Sequence, residues 1–150
     1  MVRRVRAEVF IPLPGEIVHV APKTILVVED NVDARQALGE LIELYGYNVT
    51  CAENGLDALN KIRSLPQPPA LILLDLFMPL MDGYTFVARA RTDSRIKQVP
   101  VVAMTGQPWV PPSSVDAILT KPIRSDTLLH TIRQFVKPAD ALNSSREPGS

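Results

Sequence analysis

Five polar residues stand where short apolar runs end. Thr24-Ile25-Leu26-Val27-Val28 leads into Glu29-Asp30, and Leu71-Ile72-Leu73-Leu74 leads into Asp75. Val99 to Met104 leads into Thr105, and Asp116 to Thr120 into Lys121. The runs read as buried strands, so each delivers its polar residue to a strand end. An ionised carboxylate in that position is costly unless it meets solvent or a cation. In an open parallel sheet, the carboxyl ends of the strands form the crevice where ligands bind. If the strands are ordered 2-1-3-4-5, the first and third are neighbours, and Glu29, Asp30 and Asp75 converge. So much negative charge calls for a cation. An all-oxygen ligand set without His or Cys suits Mg²⁺ rather than zinc. Lys121 and Thr105, across the same pocket, suit an incoming anion, most naturally a phosphoryl group. Taken singly, each residue has an ordinary alternative: a capping acidic pair, a turn aspartate, a surface ion pair, a strand-end hydroxyl.

The elements that must position these residues follow a simple alternation. After the first strand, Asn31 can cap a helix whose apolar positions Ala34, Ala37, Leu38, Leu41 and Tyr45 keep the 3.6-residue period, and Gly46 stops it. Tyr47 to Ala52 reads as a strand, Asn54 as a cap, and Leu56 to Leu65 as a helix ended by Pro66, Pro68 and Pro69. A helix from about Gly83 to Thr92 follows the Asp75 strand. The last helix carries Leu128, Leu129, Ile132, Phe135 and Val136 on one face. Strands alternating with helices through short connections argue for a parallel sheet covered on both faces. One interval breaks the pattern. Only fifteen residues separate Thr105 from Lys121, with Pro108, Pro111 and Pro112 among them, which is too little for a strand and a regular helix. One helix fewer than strands is therefore expected.

A chain of 150 residues suits one domain, and a content of 46% hydrophobic and 21% charged residues suits a water-soluble one. Sixteen basic residues balance sixteen acidic ones, so no net field points to nucleic acid or an anionic membrane. No apolar run reaches the roughly 20 residues of a membrane span. A single cysteine, Cys51, excludes an internal disulfide and suits the cytoplasm. Residues 1–22, interrupted by Pro12, Pro14 and Pro22, read as a flexible or docking arm; residues 138–150 read as a disordered tail. His19 and His130 lack metal-ligand company. Trp109, in the proline-flanked loop, either packs over sheet left bare by the missing helix or anchors a partner.

Over residues 23–137 the chain resembles the response regulator receiver domains of two-component signalling. The resemblance rests on Glu29-Asp30, on the segment Leu73-Leu74-Asp75-Leu76-Phe77-Met78-Pro79-Leu80-Met81-Asp82-Gly83, on Thr105-Gly106 and on Lys121-Pro122, all in order. It implies a flavodoxin-like, doubly wound five-stranded parallel sheet ordered 2-1-3-4-5, here with the fourth helix missing or degenerate. It also implies roles. Asp75 would accept a phosphoryl group from a sensor histidine kinase or a histidine phosphotransfer protein. Asp30, Asp75 and the Phe77 carbonyl would hold Mg²⁺ directly, and Glu29 through water. Lys121 would pair with Asp75 and then with the acyl phosphate, aimed by a cis peptide to Pro122. Thr105 would donate a hydrogen bond to the phosphoryl group, beside Gly106, with Phe77 and Gln107 flanking the site.

The departures carry information too. Receivers usually place an aromatic three residues before the lysine; here Ile118 stands there, with no ring to turn and no hydroxyl. The expected function is a single-domain phosphoacceptor that signals to a downstream protein, without direct DNA contact. It would assist its own phosphotransfer and dephosphorylation without being an enzyme in the usual sense. A phosphorylation-independent interaction module on the same fold is the alternative. A hydrolase with an aspartyl nucleophile is disfavoured, because Phe77 occupies the position of the second acid.

Overall fold

A computed structural model describes residues 13–15, 22–106 and 114–138. The elements in chain order are β1 (Thr24–Val28), α1 (Val32–Leu44), β2 (Asn48–Ala52), α2 (Gly55–Ser64), β3 (Leu71–Asp75), α3 (Gly83–Ala90), β4 (Val101–Thr105), β5 (Ala117–Thr120) and α4 (Ser125–Phe135). The strands form one sheet in the order β2-β1-β3-β4-β5, and every pairing is parallel. This is the parallel sheet expected from the alternation of elements, in the doubly wound, flavodoxin-like order that the resemblance implied.

The two faces of the sheet explain why β1 and β3 are almost continuously apolar. Leu26, Val28, Ile72 and Leu74 pack on one side with Ala58 and Ile62 of α2 and Phe86, Val87 and Ala90 of α3. Ile25, Val27, Leu71 and Leu73 pack on the other with Ile42 of α1 and Leu128 and Ile132 of α4. A strand covered on both faces has no polar side to show, which turns alternation into an unbroken run. The helix starts follow local chemistry. Asn31 Oδ1 accepts from Ala34 N at 2.9 Å, Asn54 Oδ1 from Asp57 N at 2.8 Å, and Asp82 Oδ1 from Thr85 N at 2.8 Å.

Some sequence expectations shift in detail. On α1 the deepest residues are Gly39 and Ile42, while Ala37 faces solvent. Gly39 faces Cys51 and Val49 of β2, where even a Cβ would sit at ordinary contact distance, 3.5 and 3.6 Å. On α4, Phe135 lies at the exposed margin, and Thr131 takes a buried place with its hydroxyl donating to the Thr127 carbonyl at 2.8 Å. Tyr47 precedes β2 rather than starting it. Its ring is buried, and its hydroxyl donates across the molecule to the Val136 carbonyl at 2.7 Å. The expectations for the arm and the tail fall almost wholly outside the described residues, as do those for Gln107 and Trp109.

Among the described residues no helix lies between β4 and β5, and α4 is the helix that follows β5. What secures the start of β5 is Arg91, just past α3. Its guanidinium donates to the Ser114 carbonyl (2.6 and 3.2 Å), to the Val99 carbonyl (2.9 Å), to the Lys97 carbonyl (3.1 Å) and to Asp116 Oδ2 (3.1 Å). The same Asp116 oxygen accepts from Val101 N at 2.8 Å, at the start of β4. One side chain thus joins the α3–β4 connection to the entry of β5. Arg91→Ala is expected to lower the free energy of urea unfolding by roughly 2–4 kcal/mol, since several partly buried acceptors lose their donor together. Arg91→Lys should restore little of it, because an ammonium lacks the planar fork. A loss under about 0.5 kcal/mol in Arg91→Ala would mean that water replaces the clamp.

Candidate functional site

The acidic residues meet because of strand register. Val28 pairs with Leu74, so Glu29 and Asp75, one residue on, emerge side by side at the carboxyl edge of the sheet. Glu29 is 2% exposed and Asp75 5%, whereas Asp30 faces solvent. Carboxylate oxygens of Glu29, Asp30 and Asp75 lie within 4.8 Å of one another. Asp75 Oδ1 accepts from the Phe77 amide at 3.1 Å, which fixes its rotamer. Lys121 follows β5, and its amide donates to the Thr105 carbonyl at 2.8 Å. That bond ties the end of β4, where Thr105 is buried, to the lysine. The Lys121–Pro122 peptide is cis, as the motif led us to expect. Lys121 Nζ reaches Glu29 Oε2 at 3.0 Å, Glu29 Oε1 at 3.2 Å and Asp75 Oδ2 at 3.2 Å. Glu29, Asp30, Asp75, Thr105 and Lys121 therefore stand at one sheet edge. Three hard-oxygen ligands, one of them open to water, fit a cation such as Mg²⁺ that keeps part of its hydration.

Backbone approach sets the geometry of the loop after β3. Gly83 N donates to the Leu76 carbonyl at 3.1 Å. A Cβ on Gly83 would come within 2.7 Å of the Asp75 carbonyl oxygen and of Leu76 Cα. Gly55, at the start of α2, is constrained less severely: a Cβ there would meet the flexible Met81 Cγ at 2.8 Å and the Met81 carbonyl oxygen at 3.0 Å. The loop also holds Leu80 in the left-handed region at φ 68°, with its side chain in solvent. Phe77 is partly exposed and meets Tyr84 edge to face, with centroids 6.3 Å apart.

Arg35 is the residue that sequence reasoning missed. From α1 its guanidinium donates to the Glu29 carbonyl at 2.8 Å and to the Asp30 carbonyl at 3.4 Å. A cation in the opening turns of a helix looks like any solvated side chain in sequence. The signal that might have exposed it is its conflict with the helix dipole, which disfavours positive charge there. Ile118 is exposed, so its side chain is no buried substitute for the usual aromatic. His130 is also exposed, against Gln134 at 3.3 Å.

The electrostatics follow from two buried carboxylates sharing one ammonium. Burial, then the hydrogen bond with Asp75, push Glu29 up to about 7, and Lys121 only partly counters this. Burial pulls Lys121 down, but its hydrogen bond to Glu29 and the charge of Asp75 outweigh this and raise it. The Glu29 shift predicts a pH dependence. Between its ordinary 4.5 and about 7, the folded chain holds a proton that the unfolded chain has released. In magnesium-free solution, stability should therefore fall as pH rises through that window, by at most about 3 kcal/mol. Glu29→Gln should flatten this part of the profile; an unchanged slope would assign it to other groups. Gly83→Ala should destabilise by about 1–3 kcal/mol, because backbone rather than a flexible side chain must yield. The same variant should bind Mg²⁺ more weakly in calorimetry, and wild-type affinity would show that Asp75 does not feel the loop.

Comparison with known proteins follows the same lines. The family profile of the response regulator receiver domain matches residues 25–133. The polar-differentiation response regulator DivK of Brucella anthropi is 29% identical over 124 residues, covering 79% of this chain and 99% of that protein. The sensor histidine kinase CheAY of Helicobacter pylori is 27% identical over 119 residues, 75% of this chain but only 15% of the kinase. Among solved structures, the Vibrio cholerae chemotaxis protein CheY4 superposes with a TM-score of 0.70 at 28% identity, over 77% of this chain and all of that one. The receiver domain of sensor histidine kinase PA1611 from Pseudomonas aeruginosa, solved with a magnesium ion coordinated in its active-site cleft, gives 0.69 at 25% identity, over 77% and 98%. With fold, strand-end residues and profile in agreement, the chain belongs to the response regulator receiver domain family of two-component signalling.

Proposed function

We propose that this protein is a phosphoacceptor in a two-component phosphorelay, with Asp75 as the acceptor and a sensor histidine kinase or histidine phosphotransfer protein as the donor. The observation that carries the reading is Lys121 Nζ set between Asp75 Oδ2 and Glu29 at the mouth of the acidic cluster. An oxygen of Asp75 attacks the phosphorus of the donor's phosphohistidine. A P–O bond forms as the P–N bond breaks, and the electron pair stays on the imidazole nitrogen. Asp30, Asp75 and the Phe77 carbonyl, with Glu29 through water, are the groups that would hold Mg²⁺. Bound there, the ion offsets charge on the phosphoryl oxygens. Lys121 moves its pairing from the Asp75 carboxylate to the acyl phosphate, and the Thr105 hydroxyl donates to a phosphoryl oxygen.

In this reading the receiver unit spans residues 23–137, works in the cytoplasm and signals through protein contacts. It assists its own phosphotransfer and dephosphorylation and turns over no separate substrate. The exposure of Ile118 argues that readout runs through Thr105 and the segment after it, not through an aromatic side chain. Ile118 also favours a second reading, an interaction module that keeps the fold without being phosphorylated. One experiment separates the two. With Mg²⁺ and a small acyl-phosphate donor, intact mass should rise by one phosphoryl group in the wild type and not in Asp75→Asn. Equal labelling of both would move the acceptor elsewhere, and no labelling of either, even with candidate kinases, would leave the unphosphorylated module.

A further inference from the structure

Arg35 stands apart from the residues already assigned. It is partly buried, and its bonds go to the main-chain carbonyls of Glu29 and Asp30, leaving the carboxylate oxygens to other partners. A charged donor that grips two successive carbonyls fixes the peptide plane between them, and with it the direction in which the two side chains leave the chain. Its location also runs against its own helix. Val32 is the first helical residue, so Arg35 lies where the positive end of the helix dipole disfavours a cation by a few tenths of a kcal/mol or more. Asp33, on the same turn, has the sign that the dipole favours. The two carbonyl bonds offset the cost for Arg35.

We infer that Arg35 is a positioning residue for the cation site: it orders the turn that presents Glu29 and Asp30 without competing for their ligand oxygens. The inference rests on the reading of that cluster as a Mg²⁺ site. It differs from a simple charge effect in sign. Were Arg35 only a nearby positive charge, it would repel Mg²⁺, and its removal would tighten binding. As an orienting group just outside the ligands, its removal weakens binding, by roughly ten-fold or more.

The test is calorimetric titration with magnesium chloride of wild type, Arg35→Met, Arg35→Lys and Gln36→Met. Urea unfolding in chelator is run alongside. Gln36 is an exposed neighbour on the same helix and should bind as wild type. Arg35→Met should bind roughly ten-fold more weakly. Arg35→Lys, which keeps the charge but ends one atom short of the guanidinium nitrogen that makes both bonds, should fall well short of wild type. In phosphorylation with a small donor, both Arg35 variants should need more Mg²⁺ for half-maximal rate while approaching the wild-type rate at saturation. Tighter binding by Arg35→Met, or affinities equal to wild type in both variants, would overturn the inference. If Arg35→Met does not fold, Arg35→Lys decides alone: wild-type affinity there overturns the inference. A wild type that binds no Mg²⁺ would instead overturn the reading of the cluster as a cation site.

Discussion

The structure depends on one electrostatic constraint: three carboxylates converge at one edge of the sheet, and one lysine ammonium faces two of them. Repulsion within such a cluster is strong where water is scarce, and Glu29 and Asp75 are both nearly inaccessible. Burial above all, and the hydrogen bond with Asp75 next, push Glu29 up to about 7. Lys121 reduces the charge, with its Nζ within hydrogen-bond reach of both Glu29 and Asp75. A cluster held this way is unfavourable for folding and well suited to receive a cation and then a phosphoryl group. It persists because the surrounding core is made of residues with nothing else to do than pack.

Loops at both edges of the sheet are held through main-chain atoms. Gly83 brings the start of α3 against the backbone at Asp75, closer than any Cβ allows. Arg35 grips the carbonyls that follow β1, and Arg91 those that precede β4 and β5. Arg95 does the same for the end of α2, donating to the Ile62 carbonyl at 2.9 Å and to those of Arg63 and Leu65. Carbonyls at helix ends and in turns lack regular partners, and a guanidinium can serve several at once. The interval between β4 and β5 shows the value of this device. With no regular helix among its described residues, the entry to β5 is still fixed, so Lys121 at the far end of that strand is delivered in place.

Family membership has clear consequences for what can vary. The carboxylate cluster, the lysine and the strand-end threonine are positioned by the sheet, whose register is set by two-sided burial of β1 and β3. The periphery is a different matter, and there Ile118 lies exposed. The buried register and the exposed periphery are thus different layers of the same molecule, and the second can diverge while the first is kept.

Apolar runs ended by charged residues, and caps such as Asn31 and Asn54, were enough to read the alternation of strands and helices and a parallel sheet from sequence, while the strand order and the candidate acceptor rested on the resemblance to receivers. Those features are legible because they are local: a strand end or a cap needs only its neighbours in the chain. Element ends were less legible, and so were Ala37, Phe135 and Tyr47, whose burial depends on how closely one element approaches another. Arg35 and Arg91 were invisible because their partners are carbonyls, which every residue carries and no sequence distinguishes. The demand at Gly83 was hidden for a related reason, since only the folded chain brings its α-carbon against Asp75 and Leu76. Sequence by itself determined which polar groups stand at the strand ends. Tertiary structure alone decided how the main chain is held so that those groups meet, because the holding contacts are long-range and made by atoms common to every residue.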